Sequence, residues 1–416
     1  MKIAPNTPLN VSLHWSDSDI QPVGRLAYRD RQAYLEYDDE FIHSGLLLSP
    51  LRHQTSKTLE TSYDPTNFEG LHGMFYDSLP DGWGRLLVDR RARQLNVEPA
   101  TLTPLDRLAI VGKAGIGALT YEPVADVWGH RAQNIDVDAL ASYSRRVLEG
   151  EADDIIAELG RAGGSPGGAR PKALIAINEQ GHAIHGDVQI PDDYTELLIK
   201  FPGTGDPADI ANIEMAYADM AKAAGIFMSE CRLLPGSGDS AYFATERFDR
   251  ANGNRLHVHS ASGLLYSDIR IPALDYTDLV SLTRFVTRDQ RQCEALFHLA
   301  CFNVLAHNRD DHAKQFSFCM TKSGVWQLAP AYDLTYSQGP GGEHSTSVLG
   351  HGKDISRTEL RALSQKADLN QEQADNIINA TADIVSQWPT YAKARSVSNA
   401  STNVVSDAIE AGLKNL

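Results

Sequence analysis

The stretch from Asp289 to Ala306 does most to limit how this chain can fold. It carries Leu296, Leu299, Phe302 and Leu305 and is strongly apolar, so as a helix it must be buried. It runs directly into the polar sequence His307-Asn308-Arg309-Asp310-Asp311-His312. Two short strands, QFSFCM and VWQLA, follow with a turn at Lys322-Ser323-Gly324, and Tyr332-Asp333 comes immediately after. Three carboxylates, Asp310, Asp311 and Asp333, therefore leave a buried helix and bracket a hairpin.

That layout suits phosphoryl transfer. The reaction needs one carboxylate to orient the nucleophile and receive its proton, and another to hold Mg²⁺ on the phosphates. Kinases place them in a catalytic loop and after a two-stranded ribbon. Asp310 fits the first role and Asp333 the second. The plain alternative makes Asp310 and Asp311 solvated loop residues and Asp333 a helix cap.

Two upstream features point the same way. Residues 161–172 read RAGGSPGGARPK, four glycines flanking Ser165, and feed into the strand ALIAI. Successive glycines let backbone N–H groups converge on a phosphate, although the segment is not GxxxxGK[ST] and a surface connection has the same composition. Lys200 lies in the apolar strand TELLIKFP. A lysine there is costly unless its ammonium is paired or meets a ligand, and Glu214 on the next helix has a spacing that permits pairing.

Composition sets the class. The chain has 416 residues, 38 basic and 54 acidic, for a net charge of −16, and its length predicts two or three domains. So acidic a chain does not grip a nucleic-acid backbone over a broad face, because that affinity comes from Lys and Arg displacing counterions. No apolar run is long enough to span a bilayer, and the start shows no signal-like segment. Cys231, Cys293, Cys301 and Cys319 form no CxxC pair and sit in apolar surroundings, as reduced thiols do. A cytoplasmic protein without a membrane role is expected.

The remaining elements follow from local pattern. Residues 8–48 read as short strands, VSLHW, VGRLAY and AYLEYD, separated by turn formers such as Asp17 and Asp19, and a turn at Leu79-Pro80-Asp81-Gly82 precedes a helix through Leu86, Leu87 and Arg90. Ser356 with Glu359, and Asn370 with Gln373, have capping-box spacing. Pro389 is expected to end the second of those helices just after Trp388. His257 and His259 alternate on one strand face as a structural pair. Arg90, Arg91 and Arg93 read as a solvated helix face.

The segments SLPDGWGR (78–85), SPGGARPK (165–172), LLIKFP (197–202), ERFDR (246–250), NRDDHAKQFSF (308–318) and LAPAYDL (328–334) together resemble the HipA family of serine/threonine-kinase toxins from bacterial toxin–antitoxin systems. The resemblance spans most of the chain. It implies an α+β fold, with an N-terminal β-rich subdomain at 1–124 and a kinase-like body. The body comprises a mixed N-lobe at 125–250 and a mostly helical C-lobe at 251–416. It implies that Gly167, Gly168, Ala169, Arg170, Pro171 and Lys172 form the nucleotide loop, that Lys200 contacts ATP phosphates, and that Glu246, Arg247 and Phe248 lie beside adenine. Asp310 would be the catalytic base. His312, Lys314 and Gln315 would lie near the phosphates, Tyr332 and Asp333 would complete the site, and Asp333 with Gln315 would hold Mg²⁺. Ser165 matches a serine that family members autophosphorylate, ejecting the loop. A dianionic phosphate there would repel those of ATP.

The family usually has Asn where this chain has Gln315, whose oxygen stands one methylene further out. The resemblance also implies a small helix-turn-helix antitoxin of the HipB type, through which contact with DNA is indirect, and a protein substrate, an aminoacyl-tRNA synthetase in some members. Two other functions compete with the kinase. One is a non-catalytic ATP-binding regulator or corepressor, suggested by Gln315. The other is a metal-dependent phosphodiesterase or nuclease built on Asp310, Asp311, His312 and Asp333, which the acidity and the strand lysine oppose.

Overall fold

The computed structural model describes residues 7–129, 134–150, 155–163, 168–186, 190–251, 253–271 and 273–416. The fold is α+β and the chain divides into two units. One takes residues 1–206, 234–259 and 320–324, and the other residues 207–233, 260–319 and 325–416.

The first unit contains two sheets. Strands β1 (Leu9–Ser16), β2 (Asp19–Arg29), β3 (Gln32–Tyr37), β4 (Glu60–Thr61) and β5 (Leu119–Glu122) form one, in the order β4-β3-β2-β1-β5. Leu9, Val11 and Leu13 are buried while Asn10 is exposed, the alternation of a strand with one face on a core. Helices α1 (Asp39–Ser44), α2 (Gly73–Tyr76), α3 (Gly82–Gln94) and α4 (Pro104–Val111) complete this part. Thr103 and Asp106 cap α4 reciprocally, with Pro104 in its first turn, where a missing N–H costs nothing. Arg91 on α3 is not simply solvated, because its Nε donates to Val127 O at 2.7 Å.

The second sheet comprises β6 (Lys172–Asn178), β7 (Ala183–His185), β8 (Tyr194–Lys200), β9 (Cys231–Pro235) and β10 (Ala241–Glu246), in the order β7-β6-β8-β10-β9. Helices α5 (Val137–Leu148) and α6 (Ile156–Gly163) join α3 in a core over one face of it. Trp83, Leu87, Leu140, Leu159, Ile175 and Leu197 meet there. Each fully buried aliphatic side chain contributes about 1.5–3 kcal/mol relative to exposure, so the sheet's position depends on this layer.

The second unit is mainly helical, with α7 (Ile210–Ala223), α8 (Ala261–Leu265), α9 (Tyr276–Thr287), α10 (Gln290–Leu305), α11 (Arg357–Lys366), α12 (Gln371–Val385), α13 (Trp388–Ala394) and α14 (Asn399–Leu413). Helix α7 lies inside the stretch expected to form the mixed lobe, yet it groups with this unit. Helix α10 is capped by Asp289 and packs on α9 and α12. Both capping boxes form. Pro389 does not end α12, which stops at Val385. Instead it occupies the first turn of α13, the helical position that tolerates proline best.

No helix among the described residues is long and apolar enough to cross a membrane. Cys293, Cys301 and Cys319 are buried, Cys231 is half-buried, and all four are free.

The strand histidines are held as a buried pair within the first unit. His257 Nε2 lies 2.9 Å from Leu48 O, and His259 bridges Asp77 Oδ2 at 2.6 Å and Ser49 Oγ at 3.0 Å. Burial pushes His257 down to about 4 and the fully buried His72 down to about 3, from an ordinary 6.5. Both stay neutral in the fold at pH values where the unfolded chain has bound a proton. The unfolded state therefore gains protons below pH 6.5 and stability falls with falling pH, until the folded values near 4 and 3 are reached. We expect each imidazole to remove about 1.6 kcal/mol between pH 6.5 and 5. Urea titrations across that range should show the loss, and His72→Phe should flatten the slope by about 1.4 kcal/mol per pH unit. An unchanged slope would refute the assignment to His72.

Candidate active site

The first unit gathers its candidate residues at one end of β6 and β8. Lys172, the first residue of β6, stands directly opposite Lys200, the last of β8. Lys200 in turn faces Phe243 on β10, with Nζ 5.5 Å from the ring centroid. Residues paired this way share a face, and like charges there are unfavourable. An anion laid across the two ammonium groups relieves that repulsion.

The glycine segment reaches this row through a tight neck. A Cβ on Gly163, at the end of α6, would stand 2.1 Å from Lys172 O, so the two stems touch backbone to backbone. Gly168 has φ +98, and a Cβ there would lie 2.2 Å from Lys172 Nζ, so this ammonium sits under the loop. Its N–H donates to Asp81 Oδ1, and its carbonyl accepts from Trp83 N at 2.9 Å. Arg170 reaches Asp206 at 3.0 Å, and Pro171 O accepts from Phe201 N at 2.9 Å. Ser165 and Gly167 lie outside the described residues.

Arg247, expected beside adenine, is turned inward. Its guanidinium holds the buried Asp249 at 2.8 Å, Arg250 adds a contact at 2.7 Å, and Gly117 N donates to the same carboxylate at 2.7 Å. Burial alone would raise the Asp249 pKa, but the Arg247 and Arg250 charges outweigh it and hold the carboxyl well below the usual range. The Arg247 backbone is also engaged, with Glu196 O and Arg250 N. Glu246 and Phe248 beside it are half-buried.

In the second unit, α10 ends at a left-handed residue, His307 (φ +55), and the two adjacent aspartates part company. Asp310 has a side chain 56% exposed, with His312 Nε2 4.0 Å from Oδ1. Asp311 is fully buried and accepts from Tyr276 Oη (2.9 Å), His344 Nδ1 (3.0 Å), Ser345 N (2.8 Å) and Thr346 N (3.2 Å). The chain of bonds continues from Tyr276 to Asn303 (3.0 Å) and from Asn303 to Asn308 (2.9 Å). Asp311 is thus neither a solvated loop residue nor a ready metal ligand, since both its oxygens are committed to protein donors. Arg309 Nη1 donates to Gly342 O at 2.5 Å, fixing the segment after the ribbon beside the loop.

The ribbon of Ser317–Met320 and Trp326–Leu328 returns the chain to Tyr332 and Asp333. Tyr332 Oη donates to Lys314 O at 2.5 Å and lies 2.7 Å from Ser317 Oγ, which braces the loop. Asp333 is left-handed (φ +57), and its Oδ2 accepts from Gln315 Nε2 at 3.0 Å. Mg²⁺ is commonly held by one or two protein oxygens, with water and phosphate completing the shell. Asp333 and Gln315 fit that need once the amide turns its oxygen inward. Among the described residues no group of three His, Cys, Asp or Glu could hold a metal by itself.

Sequence reading missed the Asp81-Gly82-Trp83 grip on the loop, the Asp249 knot and the anchoring role of Asp311. Glycines flanking a tryptophan at a helix start were the available signal for the first.

A family model described as "HipA-like C-terminal domain" matches residues 164–388, and one described as "HipA N-terminal domain" matches residues 15–122. No curated protein matches the chain. Among solved structures, HipA of the Shewanella oneidensis MR-1 toxin–antitoxin complex with HipB and operator DNA aligns with a TM-score of 0.68. It covers 97% of this chain and 95% of that chain at 18% identity, a likeness of fold. The Helicobacter pylori proinflammatory kinase CtkA covers 58% of this chain and 92% of that one, with 12% identity and a TM-score of 0.33, too low to support an argument.

The contrast between Asp310 and Asp311 is directly measurable. Asp311→Ala strands several buried donors and should lower the unfolding free energy by about 3–5 kcal/mol in denaturant titrations. Asp310→Ala should change it by less than about 0.5 kcal/mol. Equal effects would refute the division of roles.

Proposed function

This chain belongs to the HipA family, and from that premise we propose that it is an ATP- and Mg²⁺-dependent protein serine/threonine kinase. The observation that carries this reading is the pairing of Lys172 with Lys200 at the neck of the glycine loop. Such a pair offers two positive charges to a polyphosphate. An exposed Asp310 and, in the same second unit, the Asp333–Gln315 pair supply the complementary chemistry.

The residues divide the work. Lys172 and Lys200 neutralise the phosphates, and the glycine loop covers them. Asp310 accepts the proton of the incoming hydroxyl, being accessible where Asp311 is not. His312, with Nδ1 accepting from Lys314 N at 3.3 Å, keeps its Nε2 proton and turns it toward Asp310. Asp333 and Gln315 hold Mg²⁺, which when bound neutralises charge developing on the transferred phosphoryl group. Tyr332 keeps the loop in place.

The same reading makes Ser165 an autophosphorylation site and the chain a cytoplasmic toxin acting on a cellular protein. The Shewanella HipA was solved with HipB and operator DNA. By that likeness we propose a small helix-turn-helix antitoxin as partner. The net charge of −16 supports leaving DNA contact to that partner.

Incubation with Mg·ATP followed by mass spectrometry tests the reading. Phosphate should appear on Ser165 in the wild type. Asp310→Asn should reduce its rate of appearance by about 100-fold or more while ATP binding stays within about twofold. Normal turnover by Asp310→Asn would overturn the role of Asp310. ATP binding without phosphate transfer, restored by Gln315→Asn, would favour a nucleotide-binding regulator.

A further inference from the structure

The turn Leu79-Pro80-Asp81-Gly82 has no part in the chemistry just described, yet it grips the glycine loop at its neck. Asp81 occupies the N-cap of α3, where an aspartate ordinarily accepts from the first-turn N–H groups of its own helix. Here the side chain makes no such cap bond. It reaches 87 residues along the chain to the N–H of Gly168. The adjacent Trp83 N–H takes the Gly168 carbonyl at 2.9 Å, so both backbone groups of Gly168 are held by one turn.

The fit allows no side chain between them. A Cβ on Gly82, where φ is +38, would lie 2.4 Å from Gly168 O and 2.8 Å from Ala169 Cα. A Cβ on Gly163 would meet Trp83 Nε1 at 3.1 Å as well as Lys172 O. Gly163 and Gly168 thus close on Trp83 and its neighbour Gly82, and Trp83 is 1% exposed and part of the core under the second sheet. Lys172 Nζ lies directly beneath Gly168, so a shift of Gly168 moves the space that this ammonium occupies.

A backbone N–H donating to a carboxylate is not donating to a phosphate. Gly168 therefore serves as an anchor rather than as one of the donors that would cradle the nucleotide.

We propose that Asp81 and Gly82 are positioning residues for the nucleotide. They clamp the outgoing stem of the glycine loop and so fix the Lys172 ammonium where it receives phosphate. This rests on the reading of Lys172 and Lys200 as a polyphosphate site. The reaction chemistry itself does not involve the clamp, so its loss should appear in ATP affinity rather than in turnover.

The test uses the full-length protein, a fluorescent ATP analogue with Mg²⁺, and the kinetics of autophosphorylation. Asp81→Ala should weaken nucleotide binding and raise KM for ATP about tenfold, the size expected of one charge-assisted hydrogen bond. Its kcat at saturating ATP should stay within about twofold of wild type. Asp81→Asn should restore affinity, because its amide oxygen accepts the same N–H. Gly82→Ala should reproduce the Asp81→Ala defect while leaving the carboxylate in place.

Wild-type affinity in both Asp81→Ala and Gly82→Ala would overturn the clamp. So would a fall in kcat and thermal midpoint that Asp81→Asn fails to rescue, since that describes damage to the fold. If the wild type itself bound no nucleotide, the polyphosphate reading would fail first and the clamp with it.

Discussion

A carboxylate taken out of water keeps its charge only if donors fill its lone pairs, and both units of this protein are organised around that requirement. In the first, Asp249 gathers two arginines and the N–H of Gly117 from 132 residues away. In the second, Asp311 gathers Tyr276, His344 and two backbone N–H groups. Neither carboxylate faces a ligand. Each ties together chain segments that propensity alone would leave free, and the neighbouring chemistry inherits its geometry from them. Asp310 is exposed where Asp311 is buried.

The candidate site residues follow a different logic. Lys172 and Lys200 are placed side by side on adjacent strands, where like charges are unfavourable. Asp333 holds a left-handed backbone, uncommon for a residue with a side chain, and shares its carboxylate with Gln315. The buried aspartates are held by several donors each, and Trp83 sits in an apolar layer under the second sheet.

Much of this was legible in the amino-acid order. The strand run VSLHW, the capping pairs Ser356/Glu359 and Asn370/Gln373, and the apolar run ending at Ala306 each report a local rule, and local rules survive into the fold. What escaped were features set by segments distant in sequence. Nothing near Asp249 announces Gly117, and nothing in NRDDH says which aspartate turns inward, because the answer lies at His344–Thr346. Pro389 was misjudged for a related reason. Proline stops one helix or starts the next, and the sequence marks both with the same residue. The glycines of PDGWG revealed a turn but not the backbone pressed against it.

The division of the chain has a consequence for its synthesis. The polypeptide passes between the two units five times, at residues 206, 233, 259, 319 and 324. Strand β10, which carries Phe243 beside Lys200, is among the last parts of the second sheet to be translated. A nascent chain that already displays the glycine segment and both lysines still lacks the strand that completes their platform. Domains tend to fold as units during translation, so a chain terminated before residue 241 would leave the ribosome with β8 lacking its β10 neighbour and Lys200 lacking Phe243.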